Sequence, residues 1–445
     1  MLARISFATA KRARISRKFD RKERSATRRS YAILIGMYAK PVQDLPSAFK
    51  RLAWSNLSAQ SAEQISLAAA PIVAVLALGA GEAETGILQT AQTLPFLLLS
   101  IPAGVLADRV SRARLMAAAE TLRVVSLVSV LMLLSLGGLS VPLLAILGFA
   151  GACGTVCYAV TAPALVPALV QGDVLPLANG RIELARTTAY AAGPALGGAL
   201  VGWIGGAPAF GVAAGLSAAA AMLLVGIAEP ARNTIPRPHP AHAIREGVVF
   251  VLGHRLLRPI FLTQLIFNIA LFVILAAYVP YAMRALKLSA AGVGITLGTY
   301  GVGMVAGALL AARIMRVLPL GIVIAIGPVS GLAAGLVMML TISMPAPALT
   351  ALSFLLMGAG PIVWVVSTTT LRQTVTPQSL LGRASAINSL AWGARPLGAA
   401  IGALIGGFYG AEACFMVAAF GFALQAAVIL LSPVVRLERQ PQMTC

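Results

Sequence analysis

Apolar runs long enough to cross a bilayer follow one another almost without a break from residue 54 to residue 433. A helix needs roughly 20 mostly apolar residues to cover about 30 Å of hydrocarbon. Its backbone amides must be satisfied without water, which leaves α-helices or a closed β-barrel. A barrel alternates apolar and polar residues in segments of about ten, and no such alternation occurs here. The 445 residues are 59% hydrophobic and 11% charged, with a mean hydropathy of +0.88, outside the range of water-soluble domains. The pattern predicts an all-α membrane protein.

Twelve spans fit: 54–79, 87–107, 115–137, 141–163, 180–205, 208–228, 258–283, 290–312, 319–342, 346–370, 383–407 and 410–433. They divide the chain into a basic extension (1–50), a six-helix half (51–228), a central cytoplasmic loop (229–257), a second six-helix half (258–433) and a tail (434–445).

The net charge of +20 raises nucleic acid as a partner, but its distribution follows membrane topology instead. Of the 34 Lys and Arg, 14 precede residue 52. Most others occupy alternate loops or their helix edges: Arg109, Arg112 and Arg114, then Arg181, then Arg232 to Arg258, then Arg313 and Arg316, then Arg372 and Arg383. The opposite loops hold Arg284 and Lys287 among the acids Glu82, Glu84 and Glu412. The positive-inside rule then predicts both termini in the cytoplasm. The extension lacks the apolar core of a secretory signal. Three readings compete for it: a polybasic arm on anionic lipid, an organellar transit segment, or an upstream start codon with the true start at Met37, the reading favoured here.

Nothing in the sequence assembles an enzyme or a cofactor site. Cys153 and Cys157 lie four apart on one helix face, a spacing suited to packing rather than a disulfide. His239, His242 and His254 fall in the central loop, with no metal-ligand spacing, and no phosphate-binding P-loop occurs. A nucleophile with its base is also missing.

The two halves repeat faintly. "GRIELARTTAYAAGP" starts at Gly180 and reaches Pro194, and "GRASAINSLAWGARP" starts at Gly382 and reaches Pro396, both offset by 202 residues. "GVLADR" from Gly104 and "GALLAAR" from Gly307 are offset by 203. Two nearly equal offsets at matching helix positions predict a parallel internal repeat.

"GVLADRVSRARL", Gly104 to Leu115, resembles the signature loop of the major facilitator superfamily, with Gly104, Leu106, Asp108, Arg109 and Arg112 matching and Ser111 and Ala113 departing. The resemblance implies a cytoplasmic latch in which Asp108 meets an opposing helix amino terminus and pairs with Arg109 or Arg112. The fifth span resembles the pattern of the antiporter and exporter branches at Gly180, Gly193, Pro194, Gly197 and Gly198, with Ala189 in place of the middle glycine. That pattern implies a kinked, closely packed helix at the seam of the halves. From about residue 50 to 435 the chain is similar to the subgroup containing the enterobactin exporter. The arginine that drug antiporters of the superfamily carry in span 4 has no counterpart here.

Charges in mid-membrane are costly, so each is a functional candidate. Glu63 and Arg395 lie deepest, and Arg395 takes the repeat position of Gly193. We expect them to border a central cavity, Glu63 as a titratable carboxylate and Arg395 as an anchor for an anionic part of the substrate. Pairing with each other is the competing structural reading. Glu183 with Arg186, and Glu120 with Arg123, are three apart and read as local pairs near the cytoplasmic helix ends. Uncharged candidates for the lining are Asn56, Gln60, Tyr158, Gln264, Asn268, Trp364 and Ser367. The expected function is a secondary transporter of the bacterial inner membrane, working as a monomer and exporting a small amphipathic or anionic molecule in exchange for protons. A multidrug exporter is the rival reading; a passive channel or membrane enzyme fits less well.

Overall fold

The computed structural model describes residues 45–170, 174–229, 240–377, 380, 387 and 391–438, apart from the side chains of Asp108, Pro176 and residues 240–244. Six helices come first: α1 (Ser47–Leu78), α2 (Glu82–Arg109), α3 (Arg112–Ser135), α4 (Val141–Leu169), α5 (Leu175–Ile204) and α6 (Gly206–Leu224). A shorter helix, α7 (Pro240–Gly253), lies in the expected central loop. Then follow α8 (Leu257–Arg284), α9 (Ala290–Val317), α10 (Leu320–Ser343), α11 (Pro347–Val375) and α12 (Arg395–Leu430). The basic extension up to residue 44, the start of the eleventh expected span with Gly382 and Arg383, and the end of the tail lie outside the described residues.

These are twelve described α-helices, ten of them long and apolar enough to cross a membrane. The fifth expected span, α5, falls outside the ten. Its 30 residues give it a length of about 45 Å, but glycines, threonines, Pro194, Arg181, Glu183 and Arg186 dilute its hydropathy. The last two expected spans run together in α12, where Gly410 alone leaves helical geometry (φ 80, ψ 177). Only glycine enters that region without strain, so one residue divides α12 into two arms, 395–409 and 411–430.

Helix ends are built from local chemistry. Ser111 caps α3, its Oγ accepting from Arg114 N at 3.4 Å while donating to Glu229 Oε1 at 2.7 Å. That carboxylate also accepts from Ala113 N at 2.5 Å, placing an anion at the positive end of α3. Conversely, Arg51 Nε donates to Leu223 O at 3.0 Å and its Nη2 to Val225 O, which covers the last carbonyls of α6 with a cation. His254 Nδ1 accepts from Leu256 N at 3.2 Å and Leu257 N at 3.3 Å, capping α8.

Hydrophobicity does not drive helices together in lipid, so small residues and interhelical hydrogen bonds set the contacts. Helix α1 packs on α5 and α6, α2 on α4, and α3 on α4 and α6. Among the later helices α8 packs on α12, α9 on α11, and α10 on α11 and α12. Two long seams join the groups: α5 lies along α9, and α2 along α12.

Candidate functional site

A cavity of about 220 Å³ opens where these helices converge. Three ionisable side chains line it from three different helices: Glu63 on α1, Arg123 on α3 and Arg395 on α12. Aromatic rings supply much of the remaining wall, with Phe96 on α2, Tyr190 on α5, Phe272 on α8 and Tyr300 on α9. Polar lining comes chiefly from Gln89, Gln92 and Thr93 on α2 and from Thr155 on α4.

Arg395 stands at the first residue of α12, directly after a single 3-10 turn over Ala391–Ala394. Its Nε donates to Asn268 Oδ1 at 3.2 Å. The guanidinium carbon lies 4.8 Å from the ring centre of Trp392, 5.5 Å from that of Phe272 and 5.7 Å from that of Phe96. A guanidinium near the membrane centre is thus held largely by ring faces, an arrangement that offsets its desolvation. Asn268 is itself fixed by donating from Nδ2 to Gln264 O at 2.8 Å.

Arg123 is held differently. Its Nη1 lies 2.9 Å from Glu120 Oε1 and donates to Ala59 O at 3.1 Å, while Nη2 donates to Thr155 Oγ1 at 2.6 Å. Glu120 is fully buried and Arg123 is 4% exposed. One arginine therefore ties α3 to α1 and α4 and still reaches the cavity.

Glu63 has no such partner. Among the described residues no cation makes an ion pair with its carboxylate, and no donor hydrogen-bonds it. The charges acting on it are those of Arg123, Glu120, Arg395 and Arg186, in that order. Glu63 and Arg395 therefore share the cavity without pairing.

The expected site residues are placed unevenly. Glu63 and Arg395 line the cavity as the sequence suggests, and Asn268 supports Arg395 from behind it. Gln60 is half-buried on α1 and does not line the cavity; nor do Asn56, Tyr158, Gln264, Trp364 and Ser367, which are buried between helices. Tyr158, for example, shares a hydrogen bond of 3.1 Å with Ser55. Glu183 and Arg186 form the expected local pair at 2.5 Å, half-exposed. Glu120 and Arg123 form the expected local pair too, at 2.9 Å, but they are buried well inside α3 rather than near its end, and Arg123 also reaches the cavity. The glutamines of α2, Gln89 and Gln92, line the cavity although the sequence points instead to Gln60 and Gln264, because residue type alone does not say which helix face turns inward.

Within the loop signature, Arg109 is exposed, Gly104 is half-buried, and Arg112 Nη1 donates to Ala164 O at 2.7 Å. The side chain of Asp108 lies outside the described residues. Within the α5 pattern, the backbone atoms of Gly198 press on Ala290 and Gly294 of α9, while Gly193 and Gly197 press on Gln64 and Ile65 of α1. Pro194 meets Gly294 through its carbonyl and also lines the cavity, whereas a Cβ built on Gly180 would meet nothing within 4 Å. Of the pattern residues, Pro194 and Gly198 therefore face the α9 seam, and Gly193 and Gly197 face α1.

A bundle of membrane helices around a central charged and aromatic cavity is the architecture of a solute carrier. The sequence profile described as transmembrane secretion effector matches residues 48–444, and the chain belongs to that family of major facilitator transporters. The multidrug efflux pump Tap of Mycobacterium tuberculosis (strain ATCC 25618 / H37Rv) is 28% identical over 409 residues, covering 87% of this chain and 94% of that one. The same relative from Mycobacterium bovis (strain ATCC BAA-935 / AF2122/97) shows equal identity and coverage. Among solved structures, a POT peptide transporter in complex with alafosfalin superposes with a TM-score of 0.70 at 14% identity, over 90% of this chain and 97% of that one. A bacterial homologue of the iron transporter ferroportin, in an inward-facing state, gives 0.66 at 15% identity, over 86% of this chain and 100% of that one. These structural likenesses establish the fold alone.

Proposed function

We propose that the chain is a secondary active exporter of the bacterial plasma membrane, with both termini cytoplasmic, that moves small amphipathic molecules outward by alternating access in exchange for protons. The observation that carries this reading is the central cavity, where the unpaired Glu63 faces Arg395 and Arg123 between aromatic walls. Such charge in mid-membrane is expensive to keep and marks a transport path. Glu63 is the group suited to carry the proton, since among the described residues nothing holds its carboxylate.

The nature of the cargo has two readings. Similarity to the enterobactin exporter subgroup favours an anionic, siderophore-like metabolite held by Arg395. The relatives named as multidrug efflux pumps favour a broader set of amphipathic compounds. We favour the second, because Trp392, Phe272, Phe96 and Asn268 already occupy the surroundings of Arg395.

Two halves, 51–228 and 258–433, are the units that rock. Under the sequence offset, α2 corresponds to α9 and α5 to α12, so the α5–α9 seam maps onto the α12–α2 seam. That reciprocity supports the parallel repeat. Asp108, Arg109 and Arg112 form the cytoplasmic latch in this scheme, with the Arg112 tie to α4 holding the loop in place. The single chain suffices for a carrier cycle, so a monomer is the working unit.

Purified protein in liposomes with an imposed pH gradient tests the reading. Saturable accumulation of a fluorescent amphiphile that stops when an ionophore collapses the gradient is expected. Movement that neither saturates nor responds to the gradient would point to a passive channel.

A further inference from the structure

Helix α7 carries a surface that the transport cavity does not use. It packs inward through Val248 and Val251, against Leu257 and Phe261 of α8 and Val375 of α11. A helix brings residues three and four apart onto one face, and on its outer face α7 presents Arg245, Val249 and Leu252. Val249 is 65% exposed and Leu252 41%, whereas Val251 is 4% exposed. Arg245 is exposed as well, and the acid of this helix, Glu246, lies half-buried on its flank. Bare aliphatic side chains beside a cation on a short helix are the make-up of a helix that lies in the membrane interface.

The cations continue past the helix. Arg255 in the corner and Arg258 in the first turn of α8 are both exposed. Among the described residues no carboxylate pairs with Arg245, Arg255 or Arg258. Arg255 also stands on the wall of a cleft of about 590 Å³ between this corner and the end of the chain, where Pro433 and Leu437 contribute to the lining. The apolar run of α8 starts at Leu257, so the corner sits where the hydrocarbon ends. The layer found at that depth offers phosphate esters on its water side and upper acyl chains beneath. Arginine matches phosphate oxygens, and several unpaired cations close together favour anionic over zwitterionic headgroups.

We infer that the outer face of α7 docks into the cytoplasmic leaflet of the proposed topology, with Val249 and Leu252 among the upper acyl chains, while Arg245, Arg255 and Arg258 select anionic phospholipid. One headgroup phosphate enters the cleft beside Arg255. The docking follows from surface chemistry and not from the transport cycle, so it stands or falls apart from the exporter reading.

Hydrogen exchange of the full, unsubstituted chain in nanodiscs tests it, comparing phosphatidylcholine alone with an equal mixture of phosphatidylcholine and phosphatidylglycerol. Exchange over residues 245–253 should slow in the mixture by about fivefold for each arginine engaged, the scale of one basic residue at an anionic surface. Salt at about 1 M, where the screening length falls to about 3 Å, should remove most of that difference. Arg255→Gln with Arg258→Gln, both on the surface, should reduce it to the roughly fivefold that Arg245 alone supplies. Equal exchange in the two lipid compositions overturns the inference. Insertion of the apolar face is read separately, from a bimane on Val249→Cys in a background without the four native cysteines. A lipid nitroxide at acyl carbon 5 should quench this label, and iodide in the water should not. Quenching by iodide and not by the nitroxide leaves the face in water, open to a protein partner instead, and likewise overturns the docking.

Discussion

At Arg395 the charge, the rings and the hydrogen bond serve one another. The planar guanidinium can face Trp392, Phe272 and Phe96 while Nε keeps Asn268; a lysine ammonium is compact and cannot do both. Arg395→Lys should therefore fail to restore what Arg395→Ala loses, and both should lower the initial rate of probe export by about tenfold or more, the scale of a desolvated cation–π contact with a hydrogen bond. Wild-type rates in the lysine variant would show that charge alone matters there. Glu63 and Arg395 were legible because a charge inside an apolar run is visible in any sequence. Arg123 was not, because α3 starts at Arg112 and buries three turns before reaching it. Gln60, Asn56 and Trp364 show the opposite error: spans that are apolar all round carry no stripe to say which side faces a path.

At the scale of single helices, capping residues give the sharpest expectations. Ser111 replaces the glycine of the superfamily signature and caps α3 together with Glu229. Ser111→Ala should cost about 1 kcal/mol of stability, and Ser111→Gly only a few tenths, read as shifts in thermal unfolding of the detergent-solubilised protein. His254, in the corner between α7 and α8, is capped into service by burial: burial holds its imidazole below the usual histidine range. The unfolded chain then takes up its proton first, near about pH 6.5. Stability at this corner is intact above that value and is lost as pH falls toward the folded value, where protonation ends acceptance from Leu256 N and Leu257 N. His254→Asn, which keeps an acceptor but does not titrate, should flatten that part of the pH–stability curve; an unchanged acid slope would assign the loss to other groups. The break at Gly410 was visible in the sequence as the gap between the last two spans, whereas α7 was hidden in what read as a loop, since its 14 residues are too few to register as a span.

Across the whole molecule, α1–α6 and α8–α12 meet along both seams, but the hydrogen bonds and ion pair described between them gather at one end. Arg284 Nη2 donates to Ala80 O at 2.8 Å and Gly79 O at 3.3 Å, and its Nη1 lies 3.7 Å from Glu82. Thr85 Oγ1 donates to Ala276 O at 2.7 Å, and Gly407 faces Ala83 so closely that a Cβ built on it lies 3.0 Å from the alanine Cβ. In the proposed topology this is the outer end, and a carrier that exports must part it to release its cargo. Most of the spanning helices are legible in the sequence, but not this clasp, because it depends on how far two loops lie apart in space rather than on any local pattern. If the clasp opens in every cycle, locking it stops transport. Ala83→Cys with Gly407→Cys, in a background without the four native cysteines, brings the two Cβ atoms to 3.0 Å, inside the roughly 3.5 to 4.5 Å of a relaxed disulfide, so the helices must ease apart by about half an ångström for the bond to form. Oxidation should cross-link the pair and reduce export to background, and reduction should restore it. Continued export by fully cross-linked protein would mean that these two helices never separate, and the alternating movement would have to be sought along the α5–α9 seam alone.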